Sequence, residues 1–252
     1  MTTPKIPTTK QNDSRIYLWD GGRYPSVTSI VGMIPKPALQ FWAAKKVAEA
    51  AIELGTSTER DLQWLKAAPQ RDLKQAGQVG TDIHEIVEKL AEGEDIRIPY
   101  EAEGFVDGFY SFRERFKPEW IMAEETVYGE YNGHGYCGSF DAIVKIEDEN
   151  WLLDYKTTRS GVHPEVALQL SAYANAHHVI HPDETTEELP QIDRYGVLWL
   201  RPDNWRFVEI KKDREFFNVF GALALSWHWE NSLKKTALLA PLGSGGSNPR
   251  PF

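Results

Sequence analysis

The chain has 252 residues, 41% of them hydrophobic, with nine Trp, eleven Phe and ten Tyr, which is ample for a packed core and excludes wholesale disorder. Its one cysteine, Cys137, excludes an internal disulfide and cannot by itself hold a structural zinc or an iron–sulfur cluster. The formal charge of −9 runs against a uniformly basic nucleic-acid-binding surface, but an acidic site that loads divalent cations and a local basic groove are both compatible with it.

Taken in chain order, residues 1–14 are polar and Pro/Thr-rich and are expected to be a flexible tail. No run reaches 18 apolar residues and the first residues lack the apolar stretch of a signal peptide, so a cytoplasmic, reducing setting is expected. "RIYLWDGGRYPSVTSI" predicts a hairpin turned at Asp20-Gly21-Gly22, then a helix capped by Ser26. Ala, Leu, Lys and Glu dominate 38–54 and 58–67, predicting helices broken at Gly55 and Pro69, and a third helix follows over 71–91, ended by Gly93. Residues 15–95 thus form a helical N-terminal region.

The character changes over 96–236. A helix over 100–116, ended by Pro118, precedes strands at 121–128, 139–146 and 151–157. A helix over 164–180 follows, then a hairpin of "YGVLWL" and "WRFVEI" around "RPDN". The last helix starts near Asp213 and carries Phe216, Phe217, Phe220, Leu223 and Trp227. Strands flanked by helices in this order predict an α/β core with a central mixed sheet. Residues 237–252, rich in Gly, Ser and Pro, are expected to be a second tail.

Within that core, "GSFDAIVKIEDENWLLDYKTT" puts Asp141, Asp154 and Lys156 where strand packing favours Val or Ile. If "EDEN", residues 147–150, is a four-residue loop, Asp141 faces Lys156 with Asp154 one diagonal step away, and all three share one face of the sheet. Two such carboxylates can hold Mg²⁺ or Mn²⁺ for phosphodiester hydrolysis, and a lysine can stabilise charge building on the phosphoryl oxygens. A pair of solvated salt bridges is the other reading of these residues alone. His84 falls beyond one edge of the apolar stripe Val79, Ile83, Ile86, Val87 and Leu90, where it is either a ligand or a packing residue. Gln169 and Tyr173 are neighbours on one helix. Lys36, Lys45 and Lys46 with Phe41 and Trp42 combine cations and stacking surfaces, or form a plain amphipathic helix.

The order Gly80…His84, Glu125 in "EETVYGE", "GSFD", "DYK" and "QLSAY" resembles the RecB-like branch of the PD-(D/E)XK nuclease superfamily over roughly 78–175. The opening "YPSVTSIVGMIPKPALQFWAAKKVAEAA" is similar to that of small stand-alone exonucleases of phages and bacteria. The resemblance implies a restriction-endonuclease-like core over 96–236, with His84, Asp141, Asp154 and the Tyr155 carbonyl as metal ligands and Lys156 as catalytic lysine. Gln169 and Tyr173 would position the site or the strand being cut, and Glu125 is not assigned as a metal ligand. It further implies a DNA exonuclease using Mg²⁺ or Mn²⁺, favouring single-stranded or resected ends, in the cytosol of a bacterium or phage-infected host. With one cysteine there is no iron–sulfur cluster, and no G-x-x-x-x-G-K-[ST] loop supplies a nucleotide cofactor. The expected partners are DNA and a recombination or single-strand-binding protein, not a membrane.

Overall fold

The computed structural model describes residues 5–12, 14–55 and 58–239; of the tails expected at 1–14 and 237–252, residues 1–4, 13 and 240–252 lie outside them. Several of the residues expected in the first tail do have defined pairing partners or core contacts. β1 (Thr8–Gln11) pairs antiparallel with β2 (Ser14–Trp19), and Ile6 is buried beside Tyr17 and Cys137. The tail reading of 1–14 is corrected there, because a polar strand needs only a partner edge to satisfy its backbone. The predicted hairpin is present as β2 and β3 (Gly22–Pro25), with Asp20 and Gly21 both at positive φ in the turn, as a two-residue turn between twisted strands requires. α1 (Val27–Val31) follows, its first turn capped by the Ser26 hydroxyl, which accepts from the Ser29 N–H.

α2 (Pro37–Leu54) starts on a proline and ends at Gly55 with φ 78. α3 (Leu62–Lys66) is short, and α4 (Ala68–Ala91) carries Pro69 in its first turn. Pro69 therefore opens a helix, where its missing N–H has no intrahelical partner to lose, and does not break one. α2 packs on α3 and α4 through the small buried group Ala50, Leu65 and Ala68. Phe41 is 78% exposed, while Lys46 pairs with Glu49 and Asp72. Among the described residues no helix is long and apolar enough to cross a membrane.

The rest is mixed α/β. α5 (Glu103–Phe116) ends at Lys117, a left-handed cap before Pro118. Then come β4 (Glu119–Ala123), β5 (Thr126–Tyr131), β6 (His134–Ser139), β7 (Ala142–Ile146) and β8 (Glu149–Lys156). After α6 (Val166–Ala174) follow β9 (His178–Ile180), β10 (Thr186–Glu187), β11 (Arg194–Arg201), β12 (Asn204–Ile210) and α7 (Arg214–Asn231). Among the described residues these strands form three sheets, ordered β1-β2-β3, β10-β9-β5-β6 and β12-β11-β8-β7-β4, with β11 parallel to β8.

Two predicted strands and one predicted helix are each divided. β4–β5 and β6–β7 form one hairpin that bends from sheet to sheet: Ala123 pairs with Ala142, and Thr126 with Ser139 in the same register. The bend lies at Glu124-Glu125 and Phe140-Asp141, held by the Glu124 N–H to the Asp141 carbonyl and the Phe140 N–H to the Glu125 carbonyl. Glu124 takes φ 51 there. The helix expected over 164–180 stops at Ala174, and "HVI" becomes β9 because it completes the edge of β5.

Side chains alternate across the five-stranded sheet. Ile143, Leu152, Tyr195 and Val197 pack with α1, α6 and α7, while Val144, Leu153, Tyr155 and Leu198 pack with α4 and α5. The first layer is tight at Gly138, where a Cβ would lie 2.5 Å from Tyr173 Cε1 and 2.9 Å from Val27 Cγ2. Gly138→Ala is therefore expected to lower stability by about 1–3 kcal/mol in urea unfolding, the range for overpacking a filled core; an unchanged midpoint would mean that the layer relaxes freely.

Candidate active site

Asp141 stands at the bend, one residue before β7, and Asp154 and Lys156 lie at the end of β8. The turn between β7 and β8 has two residues, Glu147-Asp148, because Ile146 pairs with Glu149. The expected four-residue loop is therefore corrected, and Asp141 lines up with Asp154, not with Lys156. A slip of two residues keeps every side chain on its face, so the three groups still come together. Asp141 Oδ2 accepts the Tyr155 N–H at 2.5 Å, extending the ladder past the strand end through a side chain. The Lys156 ammonium donates to Asp154 Oδ1 at 2.6 Å, and the Gln169 amide donates to the same oxygen at 2.9 Å.

His84 arrives from the other layer. α4 lies close to the end of β8 because Gly80 faces Thr157 Oγ1, where a Cβ would sit at 3.2 Å. One turn on, the buried His84 has its Nδ1 3.8 Å from Asp141 Oδ1. Tyr173 is buried beside Phe140 and accepts from the Gln169 amide at 3.4 Å, so its hydrogen-bond link to the acids runs through Gln169. Glu125 points elsewhere, to Lys5 at 2.9 Å and His181 at 3.8 Å. Its neighbour Glu124 is buried and hydrogen-bonds Glu88; burial and then the negative charges of Asp141, Glu124 and Glu88 raise the pKa of the Tyr155 phenol. Neither Glu88 nor Glu124 was named from the sequence. Glu88 follows His84 by four residues and so shares its helix face, which was the signal available.

The electrostatics follow from burial. Desolvation raises the pKa of both Asp141 and Asp154, with Lys156 opposing. Burial works against the Lys156 ammonium, but Asp154 and Asp141 outweigh it and hold its pKa above the ordinary lysine value. Burial lowers His84 to about 3, so the imidazole is neutral at pH 7 and keeps a free lone pair. Among the described residues no group of three or more His, Cys, Asp or Glu side chains is arranged to hold a metal ion as it stands. Two acceptors that a cation or a donor could meet are present: Asp154 Oδ2 and His84 Nδ1 are buried without a hydrogen-bond partner. Unpaired buried acceptors beside a second carboxylate are costly unless a cation or a donor meets them.

No family model and no curated protein matches the chain. Among solved structures it is similar to SSO0001, with a TM-score of 0.37 and 14% identity over 82% of this chain and 99% of that one. That likeness is too distant to bring an activity or a fold name with it.

Proposed function

We propose that the protein is a metal-dependent deoxyribonuclease with a restriction-endonuclease-like core, acting as an exonuclease on single-stranded or resected DNA ends in recombination, repair or phage DNA metabolism. The observation that carries the reading is the pairing of two buried carboxylates with one lysine at the end of the β7–β8 hairpin, beside the unpartnered Asp154 Oδ2 and His84 Nδ1. Solvated surface salt bridges, the other reading of these residues, do not account for acids only 8% and 2% exposed.

Asp141, Asp154 and His84 would hold Mg²⁺ or Mn²⁺, with the Tyr155 carbonyl beside them. When bound, such a cation polarises a phosphoryl oxygen and lowers the pKa of a water. Lys156, kept protonated by the two acids, is suited to neutralise charge on the phosphoryl oxygens and unsuited to act as a general base. Gln169 fixes the Asp154 carboxylate from α6, and Tyr173 fixes Gln169. The neutral His84 would offer its Nδ1 lone pair to such a cation.

The test is digestion of end-labelled linear single strands, matched duplex and covalently closed circles, with Mg²⁺, with Mn²⁺ and with chelator. The expected result is metal-dependent loss of linear strands with circles intact. Nicked or linearised circles would replace exonuclease with endonuclease, and binding without cleavage under either metal would replace both with a DNA-binding module.

A further inference from the structure

Two side chains in line with Lys156 are not used by the chemistry above. Parallel pairing sets Lys156 of β8 next to Trp199 of β11, and antiparallel pairing sets Trp199 next to Arg206 of β12. Paired residues on adjacent strands share a face, and strands are about 4.7–4.9 Å apart. Lys156, Trp199 and Arg206 therefore cross the sheet in one line, roughly 10 Å from end to end. The face is that of Asp154, which pairs with Val197 two residues back along β8.

Trp199 is half-buried, and its Nε1–H donates to the Thr158 carbonyl at 2.8 Å, which fixes the indole at the mouth of the loop leaving Lys156. Arg206 is exposed, with its guanidinium over one face of the indole, 5.4 Å from the ring centroid, which leaves the opposite face for a base. Here an aromatic surface stands between two cations, in a chain whose formal charge is −9. That sequence of groups matches a phosphate, a base and the next phosphate of a single strand.

We propose that Trp199 and Arg206 bind the nucleotide adjacent to the scissile phosphate, the indole carrying its base and Arg206 its outer phosphate. The proposal rests on the nuclease reading of the Lys156 site and adds a reason for single-strand preference: the bases of a duplex are already stacked and cannot lie on the indole.

The experiment uses fluorescence anisotropy of a labelled oligothymidylate of about twelve residues, in chelator so that nothing is cut. It compares wild type with Trp199→Phe, Trp199→Ala, Arg206→Ala and Arg206→Lys. Arg115→Ala, an exposed arginine on α5 against the opposite face of the sheet, is the control for loss of one charge. Trp199→Ala is expected to weaken binding about 5- to 150-fold and Trp199→Phe less, as for a stacked base. Arg206→Ala is expected to reduce the salt dependence by about one counterion, with partial rescue by lysine and no change from Arg115→Ala. Arg206 lies on the surface, so its variants read the proposal even if Trp199→Ala unfolds. Wild-type hydrolysis with unchanged affinity in the Arg206 and Trp199→Phe variants would overturn the proposal and leave the nuclease reading standing. A wild type that neither binds nor cuts would overturn both.

Discussion

Replacing Lys156 by alanine is expected to lower DNA hydrolysis about 10²- to 10³-fold at saturating Mg²⁺ or Mn²⁺, the usual loss when one positioned donor to developing charge is removed. The loss should appear in kcat and not be recovered by more metal, because Lys156 occupies the Asp154 carboxylate that a cation would use, and its removal leaves that carboxylate free to bind one. Lys156→Arg should rescue only in part, since a planar guanidinium cannot take the place of a compact ammonium wedged 2.6 Å from Asp154. The variant carries a second signature. Without Lys156 two buried acids stand uncompensated, so its Tm in chelator should fall by several degrees, at about 2–4 °C per kcal/mol for a chain of this size, and divalent cation should restore it. Activity within tenfold of wild type would remove Lys156 from the mechanism.

Asp141→Asn should move stability the opposite way. The site holds two buried carboxylates against one ammonium, and Asp141 is the acid not paired with Lys156. An asparagine there keeps an oxygen for the Tyr155 N–H and turns its amide toward His84 Nδ1, which now has no partner. The variant is expected to be more stable than wild type in chelator by about 1–3 kcal/mol, to lose activity, and to lose the thermal stabilisation that Mg²⁺ or Mn²⁺ confers on wild type.

The pH dependence has a definite sign. Burial raises the folded pKa of Asp141 above its unfolded value, so its contribution to stability is fully present below about 3.9 and is lost as pH rises through the folded value. The gain from asparagine should therefore be largest near pH 8 and shrink toward pH 4. His84 works in the other direction: lowered by burial to about 3, it contributes stability above about 6.5 that falls away as pH drops toward 3. Comparison at pH 8 isolates the carboxylate. An asparagine variant that is less stable in chelator at pH 8 would show that Asp141 is not in excess and would argue against a cation site.

The hairpin at Asp20-Gly21, the Ser26 cap, the helix over 38–54 and the β11–β12 hairpin were all legible because each depends on residues within a few positions: positive φ in a tight turn, a hydroxyl capping a helix, apolar spacing. The grouping of Asp141, Asp154 and Lys156 was legible for a similar reason, since period two fixes which strand side chains share a face. What failed was whatever a neighbour in space decides. The run 121–128 reads as one strand, and only the second sheet divides it at Glu124-Glu125. "HVI" reads as the end of a helix until the edge of β5 is there to bind it, and residues 8–11 read as a tail until β2 is.

The same division runs through the site. By itself the sequence determined the chemical inventory, two acids, a lysine, a histidine and a glutamine in a fixed order, and the helix and strand periods that keep them from facing apart. Tertiary structure decided that His84 crosses from the other layer to within 3.8 Å of Asp141, that Gln169 grips Asp154, and that Glu124 turns inward while Glu125 turns out to Lys5. It also decided that Trp199 and Arg206 stand in line with Lys156. Local periodicity sets the direction of a side chain relative to its own element, whereas the distance between elements is set by packing, by glycines such as Gly80 that allow close approach, and by the bend of the hairpin at Asp141.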